Sequence, residues 1–403
     1  MKLVKPVIAT LVLAGATAIV APTTQSAQKT SVLVVFRDDA PLEELSFAAV
    51  ADARASQRPE AWGYVSRGVV GAAQELERAH GFRAKDVYSH ALRGLSADLT
   101  AAQIQALRAN PWVASIERDQ IFHTQVQSLP WGINRVDADV SSTRAGNGSG
   151  AVTNVSIFVV DTGVGVHADI NRVNHLNFTG DGNNNDCNGH GTHVAGTIAA
   201  RDNTSDVVGI VPGAPVTGVK VLGCTGSGST TNIVKGIDWV IANGARPGVL
   251  NLSLGGGVST ALDNAVRRAA SAGFVVALAA GNSGANACNS SPARAGAGTN
   301  NGIITTAATD SANREAGFSN FGSCVDIWAP GVGIPSTRLG GGTVSFSGTS
   351  MASPHVAGVA ALLRSRNSGS PSSIEASLKT NALGFGTSSK DGRAIRIANA
   401  RNY

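Results

Sequence analysis

The stretch SFSGTSMASPHVAGVAALL, residues 345–363, decides how the rest of the chain is read. It begins as loop, because Gly348 permits a tight turn and Thr349 and Ser350 are both good N-cap types. From Val356 to Leu363 the run is apolar and alanine-rich, which predicts a helix buried nearly all round. Pro354 then belongs in the first turn, where a missing N–H removes no helix bond. That places Ser350 at the N-terminus of a buried helix, among free N–H groups and the positive end of the dipole. A hydroxyl so placed can attack a carbonyl and leave an oxyanion among donors. A lone serine before a helix is more often a cap than a nucleophile, so other motifs have to carry the chemistry too.

Composition sets the frame. The 403 residues exceed one typical domain, and 43% hydrophobic against 15% charged residues suits a compact, exported enzyme. A net charge of +5 without any Lys/Arg run or aromatic–basic interleaving argues against nucleic acid as a partner. Residues 1–27 read as an export signal: Lys2 and Lys5, an apolar run over 7–20, then small residues to Ala27. No other stretch is apolar enough to anchor the chain in a membrane. The four cysteines, Cys187, Cys224, Cys288 and Cys324, lack zinc-type spacing. Export favours two disulfides, with the pairing open.

Residues 28–127 form a separable unit, with strand at 31–36, helix at 71–80, strand material over 87–99 turning at Gly94, helix at 100–109 and a last strand at 113–122. That order predicts a small ferredoxin-like α+β sandwich; an Ala/Arg-rich stretch at 40–69 has no place in it, and 125–130 reads as linker. Residues 128–403 form the second unit. Apolar strands at 155–160, 216–222, 249–254, 274–280 and 303–307 alternate with helices at 191–200, 231–243, 259–272 and 353–365. The alternation predicts a doubly wound α/β fold with a mostly parallel sheet flanked by helices. Ligands of such sheets bind at the C-terminal strand ends, where the notable polar residues fall.

Asp161 ends the strand VSIFVV and opens the turn Asp-Thr-Gly, where a carboxylate can be held buried and aimed; alone it would be an ordinary turn residue. His190 lies in NGHGTHVAGT, whose glycines let backbone pass close to a substrate, while His193 reads as structural. Two histidines at i, i+3 without a following Glu do not make a zinc-protease site. Asn282 follows FVVALAAG, just beyond a buried strand, where its amide can donate to an oxyanion. A serine needs an adjacent base to become a nucleophile, and a carboxylate fixes the base's tautomer and stabilises its charged form. The four residues together supply that set.

The motifs VVDTG, NGHGTHVAGT and SGTSMASPHVAG, in this order, resemble those of the subtilisin-like serine proteases, and more closely their proteinase K and aqualysin-like branch, over residues 131–403. The resemblance implies Asp161 as orienting acid, His190 as general base, Ser350 as nucleophile and Asn282 as oxyanion donor. It further implies substrate-binding edge strands at Ser253, Leu254, Gly255 and at Gly226, Ser227, Gly228, which would clamp an extended peptide. Ala280 and Gly281 would wall a primary pocket favouring apolar or aromatic side chains. It implies disulfides Cys187–Cys224 and Cys288–Cys324, and no organic cofactor. Structural calcium is expected at Asp326, with Asp181 and Asp186 in an oxygen-rich loop as further candidate ligands. Residues 31–123 resemble the inhibitory propeptide of these zymogens, which implies an intramolecular chaperone, self-cleavage between His123 and Leu129, and a secreted, monomeric protease acting on protein and peptide substrates.

Overall fold

The structure is a computed structural model that describes residues 28–40, 67–119, 127–367 and 369–403. The expected export signal, most of the 40–69 insertion and the start of the linker lie outside these residues. The chain divides into two units, Met1–His123 and Thr124–Tyr403.

In the first unit, β1 (Lys29–Phe36), α1 (Arg67–His80), β2 (Ala84–Tyr88), β3 (Gly94–Thr100), α2 (Ala101–Arg108) and β4 (Val113–Arg118) follow in that order. The strands form an antiparallel sheet ordered β2-β3-β1-β4, the expected ferredoxin-like arrangement. Alternation along β1 buries Val32, Val34 and Phe36, and α1 covers them with Val69, Ala72, Ala73 and Leu76. Thr100 caps α2 in a reciprocal box with Gln103. Gly94 does not make the turn. It already pairs with Val35, and a Cβ there would lie 2.2 Å from the Val34 carbonyl oxygen, so glycine serves close approach instead.

The second unit is built on a nine-stranded sheet. Its strands are β5 (Ser156–Asp161), β6 (Arg172–Asn177), β7 (Val216–Lys220), β8 (Gly248–Leu252), β9 (Val275–Ala279), β10 (Ile303–Thr309), β11 (Ile327–Pro330), β14 (Leu383–Ser388) and β15 (Ala394–Ile397). They lie in the order β14-β15-β11-β10-β9-β8-β5-β7-β6, and every pair is parallel except β14 with β15. A separate hairpin joins β12 (Ile334–Thr337) to β13 (Thr343–Phe346). After a short α3 (Trp131–Arg135), the helices are α4 (His190–Ala199), α5 (Thr230–Asn243), α6 (Thr260–Ser271), α7 (Thr349–Arg366) and α8 (Pro371–Asn381).

β5 pairs with β7 on one side and β8 on the other, so the chain reverses direction across the sheet there. A crevice opens at such a switch point. α5 and α6 pack on one face with Ile233, Ile237, Val240 and Val266, while α4 and α7 cover the other with Ile198, Val356, Val359 and Leu362. Fifteen of the eighteen residues of α7 are buried, as its all-round apolar sequence requires.

Two buried histidines belong to this core. His193 binds the Ile334 carbonyl at 2.9 Å and stacks on Phe346, and His355 binds the Met351 carbonyl at 2.8 Å. Burial lowers both to about 4 from an ordinary 6.5. A folded-state pKa below the unfolded one means that unfolded chain binds the extra protons, so stability falls as pH drops below 6.5. Urea unfolding at pH 5 should therefore show about 2 kcal/mol less stability per histidine than at pH 7. Replacing either by Gln should flatten that slope, and an unchanged slope would contradict the assignment.

Candidate active site

Asp161 is the last residue of β5 and is fully buried. Its Oδ1 accepts the Thr162 N–H and the His190 Nδ1–H, both at 2.7 Å, while Oδ2 is buried with no partner among the described residues. His190 is the first residue of α4 and is about a quarter exposed. Burial alone would lower its pKa. The charge and hydrogen bond of Asp161, helped by Asp186, outweigh that and raise it above 6.5.

What holds this pair is Asp186, which the sequence suggested as a calcium ligand. Its Oδ1 accepts from Thr162 Oγ1 (3.0 Å), Asn188 N (2.9 Å) and Gly189 N (2.9 Å), and its Oδ2 from Thr192 N (3.0 Å) and Thr192 Oγ1 (2.5 Å). With five protein donors, no lone pair is left for a cation. Asp186 instead caps α4 in place of a side chain at Gly189, and it ties the Asp161 turn to the His190 turn. Gly191 completes the fit, because a Cβ there would lie 2.0 Å from the Gly163 carbonyl oxygen.

Ser350 is the second residue of α7. The helix starts four residues earlier than expected, at Thr349, after an N-cap residue, Gly348, that offers no side-chain bond. Thr349 and Ser350 are thus inside the helix. Asn282 caps it from outside: its Oδ1 accepts Thr349 N (2.8 Å) and Thr349 Oγ1 (2.9 Å), which leaves Nδ2 to donate elsewhere. Thr349 Oγ1 in turn accepts the Gly281 N–H at 3.1 Å. The Ser350 N–H, at the second helical position, has no partner within the helix. Its hydroxyl donates to the Ser253 carbonyl at 3.1 Å, beside the same cleft that His190 lines. Pro354 lies in the second turn, not the first.

The cleft is a cavity of about 470 Å³. Gly226, Ser227 and Gly228 form one side, Ser253, Leu254 and Gly255 the other, and Leu222, Ile233 and Leu262 make an apolar floor. The floor residues on α5 and α6 carried no sequence signal beyond ordinary amphipathic spacing. Ser291 braces the Leu254 side through paired bonds with Gly256, at 2.9 and 3.2 Å. Ala280 and Gly281 do not line this cavity; Ala280 is buried and its carbonyl accepts the Asn320 amide at 2.9 Å. The disulfides are Cys187–Cys224 and Cys288–Cys324, and the first links the His190 loop to the Gly226 side.

The other two calcium candidates meet ammonium groups. Asp326 accepts Lys379 Nζ and Thr305 N, each at 2.9 Å, and Lys379 also donates to Glu375 at 2.6 Å. Burial works against the Lys379 charge, but Asp326 and Glu375 outweigh it and raise the pKa. Across from Asp326, the carbonyls of Ala295, Gly296 and Ala297 all face the Asn301 amide. A fixed cation therefore stands where a calcium ion was expected. Asp181 accepts from Asn177 and Asn183 and faces the buried Lys220 Nζ at 3.3 Å; the nearby Cys187 and Cys224 sulfurs are closed in their disulfide.

Another buried carboxylate went unread in the sequence. Asp169 is buried, and burial pushes its carboxyl up to about 6. Its Oδ1 accepts the Asn203 amide at 2.7 Å, and the Gln127 amide donates to the Arg201 carbonyl at 2.9 Å. Half a turn of each amide would present oxygens instead, a donor set that suits a hard cation.

The sequence pattern of the subtilase family matches residues 152–397, and that of the peptidase inhibitor I9 family matches residues 31–125. The chain is 42% identical to the M-protease of Shouchella clausii (strain KSM-K16), over 81% of this chain and 82% of that protein. It is also 42% identical to alkaline serine exoprotease A of Vibrio alginolyticus, over 77% of this chain, and spans 59% of that relative's length. Among solved structures it resembles a cold adapted subtilisin-like serine proteinase at 40% identity, with a TM-score of 0.56 over 67% of this chain and 97% of the other.

Proposed function

The chain belongs to the subtilase family of serine proteases, and from that premise we propose that it is a secreted endopeptidase made as a self-processing precursor. The observation that carries this is the bond of 2.7 Å between buried Asp161 and His190, in a cleft that Ser350 also lines. Ser350 attacks the peptide carbonyl as His190 takes its proton. Asp161 holds the imidazole in the right tautomer and stabilises its charged form. The oxyanion is met by Asn282 Nδ2 and the Ser350 N–H, at the positive end of α7. His190 then protonates the leaving amine, and water repeats the sequence on the acyl-enzyme.

The substrate lies as an added strand between Gly226–Ser227–Gly228 and Ser253–Leu254–Gly255. Among the described residues the cleft lining holds no Asp or Glu and has an apolar floor, which supports broad selectivity for apolar or aromatic side chains. Residues 31–125 act as inhibitor and chaperone. The Gln127 and Ser128 N–H groups are bonded to Thr204 and Asp206 carbonyls of the second unit, which favours a cut just before Gln127. Among the described residues no helix is long and apolar enough to cross a membrane.

A fluorophosphonate should label Ser350, and Ser350→Ala should stay unlabelled and unprocessed by intact mass. Asn282→Ala should lower kcat by roughly 10²–10³-fold with little change in KM, the range known for such a donor in subtilisin itself. Equal labelling of Ser350→Ala would refute the assignment.

Because His190 must be neutral to take a proton, its raised pKa predicts that kcat/KM falls with acid through a midpoint above 6.5. Asp161→Asn removes the groups that raise it. The residual activity, lower by on the order of 10⁴-fold, should lose its acid limb at lower pH than the parent.

Structural calcium belongs with Asp169, Asn203 and Gln127. In the Ser350→Ala chain, chelation with EGTA should lower the melting temperature, by the equivalent of about 3–4 kcal/mol where calcium had been a hundred- to thousandfold above Kd. Asp169→Asn should abolish that response and Asp326→Asn should leave it intact. The reverse result would return the ion to Asp326.

A further inference from the structure

The position of Pro354 leaves one backbone acceptor without its usual partner. In a regular helix the N–H of residue 354 would donate to the carbonyl of residue 350. Proline has no N–H, and its ring crowds that carbonyl and tilts it outward. The orphaned carbonyl is that of Ser350.

Its donor comes from another element. Ser253 Oγ, just beyond β8, donates to the Ser350 carbonyl at 2.8 Å. Asn251 Nδ2 donates to Ser253 Oγ at 2.9 Å, and Ser353 Oγ donates to Asn251 Oδ1 at 2.8 Å. Asn251, Ser253 and Ser353 are all buried, so water is not a ready substitute. The links close a circuit from the end of β8 to the first turns of α7.

We propose that the Ser253 side chain is a positioning residue for the nucleophile, supplying the hydrogen bond that Pro354 denies to the Ser350 carbonyl. This rests on the reading of Ser350 as nucleophile. Holding that carbonyl fixes the Ser350 peptide plane, and with it the direction of Oγ and of the N–H that meets the oxyanion. The role belongs to the hydroxyl alone, since the Ser253 main chain forms the substrate edge whatever side chain it carries.

A double-mutant cycle on the full chain tests it, with sites counted by fluorophosphonate titration and kcat and KM measured on a chromogenic peptide. Ser253→Ala should lower kcat at least tenfold per labelled site while KM moves less than threefold. In the Pro354→Ala background residue 354 regains an N–H, and Ser253→Ala should then cost less than threefold. Equal losses in both backgrounds, or a parent-like kcat for Ser253→Ala alone, would overturn the proposal. Where Ser253→Ala fails to mature, maturation of the double variant supports it, and failure of the double beside a maturing Pro354→Ala overturns it. A parent chain unlabelled at Ser350 would instead sink the underlying reading.

Discussion

An ionised carboxylate at the end of a central strand is tolerable only if its charge is answered where it lies. Asp161 meets that condition with one imidazole and one backbone N–H, both on the same oxygen. Everything near the cleft serves to keep those partners in place. Asp186 spends both oxygens on the two turns that carry Asp161 and His190, and Gly191 lets the turns touch. Shift either turn by an ångström and a buried charge loses its partner.

The sheet and its helices were legible because strands buried on both faces read as continuous apolar runs, and β5, β7, β8, β9 and β10 all lie within a few residues of their expected places. β6 was not legible. Its sequence RVNHLN is polar, since it runs at the sheet edge with one neighbour. The four-residue strands β11, β12 and β13 are too short to show a period. α7 was misplaced at its start because proline was assigned to the first turn. A side chain just beyond β8 takes over the missing bond, so the helix runs through it, and no local rule anticipates a donor roughly a hundred residues away.

The surroundings of the cation candidates were hidden for a related reason. Sequence shows carboxylates but not what faces them, and Asp326 and Asp181 face ammonium groups of Lys379 and Lys220. Asp169 gave no signal of its own, because its companions Asn203 and Gln127 are neutral amides that lie far from it along the chain. The two lysines are counterions that the chain itself supplies.

The brace between Gly256 and Ser291 gives the Leu254 side of the cleft a stiff backbone, and the disulfide at Cys224 does the same for the Gly226 side. If substrate enters as the proposed added strand, a groove with two braced rims would take polypeptide that can be drawn out straight. Helices, tight loops and packed strands would then be turned away before any side chain is read. Foldedness would be the first criterion, and the protein's own compact surface would be spared by the same filter.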